Sequence, residues 1–325
     1  MHYGRWLLRA LVIAAICLAG FLLYRTLNRY SFEEVVASIR SIPPMRLLAS
    51  FAFAGCSYLC LTFFDVLGIR YAGKRLPYGK AALASFVSLS IGHNIGVAAL
   101  SSGAIRYRFY SKWGLDAEDV AKVILFSGMT VALGLLTLGG LGMLLNSAAA
   151  AQMTGFSVQS VRGLGVACLA VASAYLFLSA FLRSTLELGR WRVEMPSLRL
   201  ASAQVLIGSV NFALVAACLH QTLAPFTDAG YLAVSSAYVI ANTTALVSHV
   251  PGGLGVLETA ILYLISGGSL IGALVAFRFV YFFVPLGFGL TLLLFSEGQF
   301  LRKSEQHKKN AGLTACRPRP APPKI

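Results

Sequence analysis

Long apolar stretches, broken by short segments carrying Arg and Lys, run along nearly the whole chain. Several windows hold roughly 18 or more mainly apolar residues, enough for a helix to cross a hydrocarbon layer about 30 Å thick. They predict crossing helices over Trp6–Tyr24, Leu47–Phe64, Val123–Leu145, Leu164–Leu182, Ala201–Leu223, Tyr231–Val250 and Ile271–Phe295. A shorter apolar segment covers Leu257–Ser266, and the stretch Ala81–Leu100 is apolar but ambiguous. Phe32, Val35, Val36 and Ile39 recur at helical spacing opposite Glu33, Glu34 and Arg40. That pattern predicts a helix lying in the membrane interface.

Composition agrees with the pattern. The 325 residues are 57% hydrophobic and 12% charged, more apolar surface than a soluble chain of this length could bury. The net charge of +15 would suggest nucleic acid in a soluble protein. Here the cations sit between apolar spans and in the tail, so positive-inside topology accounts for them and no nucleic-acid partner is expected. Five of the six cysteines, Cys17, Cys56, Cys60, Cys168 and Cys218, fall within apolar spans with neither disulfide nor zinc spacing. No metal and no cofactor is expected. Met1–Tyr24 has no small-x-small cleavage site and reads as a retained first span.

Charge counting bears on the ambiguous stretch. Loop 183–199 carries Arg183, Arg190, Arg192 and Arg199, and loop 101–122 carries Arg106, Arg108, Lys112 and Lys122. Both belong in the cytoplasm with the basic tail, whereas loops 146–162 and 224–230 belong outside. If Ala81–Leu100 crosses fully, six cations in the N-terminus and loop 65–80 are misplaced. If it dips in and returns, four are misplaced, all arginines of loop 25–46: Arg25, Arg29, Arg40 and Arg46. Ser88, Ser90, Gly92, His93, Asn94, Gly96, Ser101, Ser102 and Gly103 crowd the same region. A re-entrant, partly unwound segment sheltered by its neighbours fits that polarity better than a lipid-facing helix.

A second break is sharper. Ser248-His-Val-Pro-Gly-Gly-Leu-Gly-Val-Leu-Glu258 places Pro251, Gly252, Gly253 and Gly255 inside the most hydrophobic part of the chain. Between Ala201 and Leu301 the only Lys or Arg is Arg278, and the only acids are Asp228, Glu258 and Glu297. Ionisable residues in such surroundings are costly unless they pair or line a polar site. The helix after the break would aim its positive end inward and could hold an anionic group. Alternatively, Glu258 complements its own helix dipole with Arg278 as structural partner. Arg106-Tyr-Arg108 can bind phosphate through planar guanidinium groups, or simply anchor the chain at the interface. His93, Asn94 and His249 are further candidates for headgroup contact, with a hydrogen-bonded structural role as the alternative. Ser90-Ile-Gly-His93-Asn-Ile-Gly96 and Leu246-Val-Ser-His249-Val-Pro-Gly252 each place His three residues before Gly. Two related halves whose broken helices meet near the midplane would produce this likeness, as would chance.

The pattern Val250-Pro-Gly-Gly-Leu-Gly-Val-Leu-Glu258, followed by Ala276-Phe-Arg278 and Pro285-Leu-Gly287, resembles the lysylphosphatidylglycerol synthetase transmembrane family. That is the flippase-like region of the multiple peptide resistance factor, also found as stand-alone membrane proteins. Gly103-Ala-Ile-Arg106-Tyr-Arg108, with Trp113-Gly-Leu and the Ala121-Lys-Val helix, resembles the family's other well-marked segment. The resemblance covers roughly residues 5 to 300 and implies a lipid transporter without the synthase activity.

The expectation is therefore an all-α polytopic membrane protein with about eight transmembrane helices plus re-entrant or broken segments, in two pseudo-symmetric halves if the short repeat is real. Residues 1–301 would form the membrane domain and 302–325 a disordered, basic cytoplasmic tail. Both termini would be cytoplasmic, in a bacterial inner membrane. Membrane phospholipids are the expected partners, with a separate lipid-modifying enzyme as a further one. The competing functions are a proton-coupled secondary transporter of a small amphipathic solute and a non-catalytic membrane partner of such an enzyme. No HExxH, Walker or GxSxG signature points to an enzyme.

Overall fold

The computed structural model describes residues 32–95, 98–181, 185–188, 191–268 and 270–315. The expected span Trp6–Tyr24 and the last ten residues lie outside the described part. Twelve helices are present among the described residues: α1 Phe32–Arg40, α2 Pro44–Tyr71, α3 Tyr78–Ile95, α4 Ala98–Lys112, α5 Ala117–Leu145, α6 Ser147–Thr154, α7 Val158–Phe181, α8 Leu198–Leu223, α9 Tyr231–Ser248, α10 Val256–Leu264, α11 Ile271–Arg278 and α12 Val284–Ala315. A 3₁₀ turn, Pro251–Gly253, precedes α10, and a π turn, Phe279–Phe283, joins α11 to α12. Strands β1 Thr185–Leu188 and β2 Trp191–Glu194 form a small antiparallel ribbon in the Arg-rich loop. Among the described residues six helical segments are long and apolar enough to cross a membrane: α2, α5, α7, α8, α9 and Ile271–Gln299. Phe177, Leu206 and Leu294 are exposed on the outside of the bundle, as a lipid-facing surface requires.

Local chemistry explains several helix ends. Asp116 caps α5: its side chain accepts from the Asp119 amide while Asp119 accepts from the Asp116 amide. Gly155, in the left-handed region at φ 73°, closes α6. The last helix runs on past Arg302 to Ala315. The segment from Leu301 to Ala315 is rich in helix formers such as Lys, Glu, Gln and Ala, and prolines begin only at Pro318.

Contacts near the helix ends sort those ends into two groups. At the Lys/Arg-rich end, Lys74 pairs with Asp119 at 3.1 Å, Lys80 lies over the Trp113 ring, and Arg108 pairs with Glu297. Tyr71 there donates to the Glu194 carbonyl of the ribbon at 2.6 Å. At the opposite end, Arg46 meets Gln221, Thr227 donates to the Ser266 carbonyl, and Gly268 N–H donates to the Phe226 carbonyl.

The start of α3 and the end of α4 both lie at the Lys/Arg-rich end, so the two helices pair as a hairpin with both outer ends there. The two arms pack closely at Gly92, where an added Cβ would stand 2.8 Å from the Ser102 Cβ. From the opposite end, α9 and α10 form a second hairpin that reverses at His249–Gly255. The order in each half is therefore span, hairpin, span: α2, α3–α4, α5, and then α8, α9–α10, α11–α12, traversed in the opposite direction. Packing repeats as well, since α3 lies against α12 while α9 lies against α5. This is an inverted repeat of the type found in transporters. Both entering arms, α3 and α9, have 18 residues.

Small residues bring the halves together. At the crossing of α5 and α8, a Cβ on Gly134 would stand 2.5 Å from the Gly208 carbonyl carbon. α2 and α8 run antiparallel and are joined by Ser57 Oγ donating to Asn211 Oδ1 at 2.8 Å. Gln204, buried on α8, donates to the Phe126 carbonyl and to Thr130 on α5.

Candidate functional site at the hairpin tips

The two hairpins meet at their tips. Gly252 has φ 60°, and a Cβ there would lie 3.4 Å from the Asn94 carbonyl oxygen and 3.7 Å from that of His93. His249, Gly253 and Gly255 also adopt positive φ, at 53°, 58° and 85°. Glycine tolerates that region without a Cβ penalty, and it is uncommon for other residues. The run of positive φ angles turns the chain back on itself within a few residues.

Glu258 and Arg278 hold this turn. One Glu258 oxygen accepts from the Gly255 amide at 2.9 Å and from Arg278 Nη2 at 2.9 Å, and the other accepts from Arg278 Nε. Arg278 Nη1 and Nη2 donate to the Gly252 and Gly253 carbonyls at 2.9 and 3.0 Å. The guanidinium also lies over the Phe282 ring, 5.2 Å from its centroid. Both side chains are buried. The carbonyls that Pro251-Gly-Gly strips from a regular helix thus find a donor in Arg278, and the positive charge finds a carboxylate. Lipid would provide neither.

The π turn after Arg278 serves the other tip. Asn94 Nδ2 donates to the Ser90 carbonyl at 2.8 Å and to the Phe282 carbonyl at 3.4 Å, and Tyr58 donates to the Tyr281 carbonyl at 3.2 Å. The Tyr281 hydroxyl hydrogen-bonds to Ser57 at 3.0 Å. π turns recur at functional sites because they re-aim backbone groups. His93 stands edge-on to Tyr58, and its Nδ1 is buried with no hydrogen-bond partner. On the second tip, Thr243, Thr244, Ser248 and His249 are exposed.

Arg106 and Arg108 sit elsewhere. Arg106 is buried, with Nε and Nη2 bidentate to Asp65 on α2 and Nη1 donating to Ser102 at 3.1 Å. Tyr110 donates to the same carboxylate. Arg108 pairs with Glu297 on α12, and Lys112 approaches that carboxylate at 3.8 Å. The structure therefore gathers His93, Asn94, Glu258 and Arg278 around the tips with His249 on the outer face of the turn. It puts Arg106 and Arg108 into ion pairs that tie α4 to α2 and α12. Sequence reasoning missed Asp65, Tyr110, Asn211 and Tyr281. A lone Asp directly after an apolar run was the available signal for the first.

Fold and site define a class: a helical membrane protein of two inverted units, each with a re-entrant hairpin. No family model matches the chain. It is 32% identical over 265 residues to the uncharacterized protein slr0712 of Synechocystis, covering 80% of this chain and 82% of that one. It is 28% identical over 279 residues to the inner membrane protein YbhN of Escherichia coli, covering 84% and 86%. Phosphatidylglycerol lysyltransferase of Staphylococcus haemolyticus is 23% identical over 294 residues, 88% of this chain but 34% of that enzyme. The chain belongs to the family of these proteins, the lysylphosphatidylglycerol synthetase transmembrane family, and is a multi-pass protein of the bacterial inner membrane. About two thirds of the lysyltransferase lies outside the alignment.

Proposed function

We propose that this protein moves an anionic or aminoacylated glycerophospholipid between leaflets, its headgroup passing the junction of the two hairpin tips while its acyl chains stay in lipid. The observation that carries this reading is the apposition of Gly252 with the His93 and Asn94 carbonyls. Each hairpin penetrates from one end only, so beyond each tip no continuous helix of that hairpin fills the membrane. A polar headgroup then has a single layer of protein contact to cross. His93 Nδ1, Ser248 and His249 offer hydrogen bonds on either side of that layer. Glu258 and Arg278 supply a neutral charge pair that a phosphate or an amine can engage in turn. Arg106 and Arg108 anchor the first hairpin at the level where a headgroup enters. The relatives named for phosphatidylglycerol motivate that lipid as the first substrate to test.

The test is leaflet-resolved transport of fluorescent phosphatidylglycerol and lysylphosphatidylglycerol in proteoliposomes. Wild type should move one of them well above the rate in empty vesicles. Glu258→Gln and Arg278→Ala should each lower that rate at least tenfold. Equal rates with and without protein for both lipids would sink the proposal.

A further inference from the structure

A groove of about 490 Å³ lies on the side of the bundle between α2, α8 and α9, lined by Phe53, Val210, Ala213, Leu214, Ala217 and Tyr231 with His220 and Gln221 at one end. Its walls are apolar except at that end, where Arg46 Nη1 donates to Gln221 Oε1 at 3.4 Å. His220 stands edge-on to Tyr231 with ring centroids 6.0 Å apart, and the Tyr231 hydroxyl is satisfied by the Ala213 carbonyl at 3.0 Å. The polar end thus has an imidazole and an amide in its wall, with the Arg46 guanidinium behind the amide, in contact with Gln221.

The dimensions select an occupant. Val210 to Gln221 is eleven helical rises of about 1.5 Å, roughly 16 Å along α8. That is about half of a hydrocarbon layer some 30 Å thick, the depth of one leaflet. Arg46 is also one of the four cations that positive-inside counting leaves on the wrong side of the membrane. A local anionic partner accounts for a cation there, whereas the topology rule does not.

We infer that this groove is a glycerophospholipid site of the leaflet opposite the Lys/Arg-rich end. One acyl chain lies along Phe53, Ala213 and Val210, and the phosphate is held by Arg46 with His220 and Gln221. As the docking place of the transported lipid the site rests on the translocation reading; as a binding site it stands alone. Guanidinium–phosphate hydrogen bonds are charge-assisted and directional and hold the phosphate of any glycerophospholipid; a zwitterionic headgroup adds a cation that Arg46 repels, so an anionic headgroup is preferred.

Native mass spectrometry of the purified protein, titrated with phosphatidylglycerol or phosphatidylcholine, tests it. Wild type should retain one phosphatidylglycerol with about tenfold preference over phosphatidylcholine. Arg46→Gln should erase that preference, lowering phosphatidylglycerol retention more than phosphatidylcholine retention, and Arg46→Lys should restore most of it. Ala213→Trp should remove both lipids. Val210→Phe, at a lipid-exposed position that tolerates bulk, should weaken both if the tryptophan variant does not fold. Millimolar inorganic phosphate should not displace the lipid. Equal retention of the two lipids by wild type, retention unchanged in both groove variants, or displacement by phosphate alone would each overturn the site. The same variants in proteoliposomes separate the two proposals. Retention lost with transport intact removes the groove from the path, whereas retention intact in a protein that moves no lipid removes the translocation reading.

Discussion

At the scale of single residues, the interior is organised by charges that are buried in neutral pairs. Asp65 with Arg106 and Glu258 with Arg278 are both withdrawn from solvent, and each carboxylate receives more than one hydrogen bond. Removing one member leaves an uncompensated charge, which costs about 3–5 kcal/mol in buried pairs, whereas replacing both by apolar groups costs far less. Asp65→Asn should therefore lower the thermal stability of the detergent-solubilised protein strongly. The double variant Asp65→Leu, Arg106→Met should recover much of the loss, as measured by the same unfolding assay. Additive losses in the double variant would show that the pair is not the coupled unit. Glu258 and Arg278 could be singled out from sequence because they are isolated in a long apolar region. Asp65 was harder to see, since it sits where a predicted span ends and an acid could equally have been in water.

At the scale of elements, close approach decides how the two units join. Gly134 on α5 and Gly208 on α8 meet backbone to backbone, while Gly128 on the same helix has nothing within 4 Å of an added Cβ. Gly208→Val should force α5 and α8 apart and lower stability, whereas Gly128→Ala should be neutral or slightly stabilising through helix propensity. Comparable melting temperatures for the two variants would refute the crossing. The N-terminus of α5 gives a pH-dependent counterpart outside the membrane. The Asp119 amide, donating to Asp116, holds the Asp116 carboxyl below its usual range. Its folded value is depressed, so its contribution is present above the ordinary aspartate range and disappears as pH falls through the folded value. Exchange of the Asp119 amide, corrected for intrinsic rates, should lose protection on acidification below about pH 4. Asp116→Ala should remove that dependence. Spans and breaks were legible in the sequence because apolar runs and Pro-Gly-Gly are local signals. The π turn and the Ser57–Asn211–Tyr281 contacts were not. Each of those polar residues lies singly in a mainly apolar span, and only tertiary packing reveals which helix faces which.

At the scale of the whole molecule, the inverted order of the two units makes a statement about sidedness that accessibility can test. A conventional crossing helix has its ends on opposite sides of the membrane. The α3–α4 hairpin instead has Arg75 and Gly114 flanking it at one end, and the α9–α10 hairpin has Asp228 and Gly267 flanking it at the other. In a variant whose native cysteines are replaced, single cysteines at 75 and 114 should react with an impermeant maleimide only from the cytoplasmic side. Cysteines at 228 and 267 should react only from the outside. The sequence had already favoured re-entry of Ala81–Leu100 by the narrow margin of four misplaced cations against six. It had treated Leu257–Ser266 merely as a short span, because nine helical residues do not reveal which way they run. The contacts of Ser266 and Gly268 with Thr227 and Phe226 supply that direction. Labelling of 75 and 114 from opposite sides would make Ala81–Leu100 a crossing helix and dissolve the first hairpin. Labelling of 228 and 267 from opposite sides would do the same to the second. Either result would also remove the tip-to-tip junction on which the translocation proposal rests, since two tips can meet inside the membrane only if each hairpin returns to the side it came from.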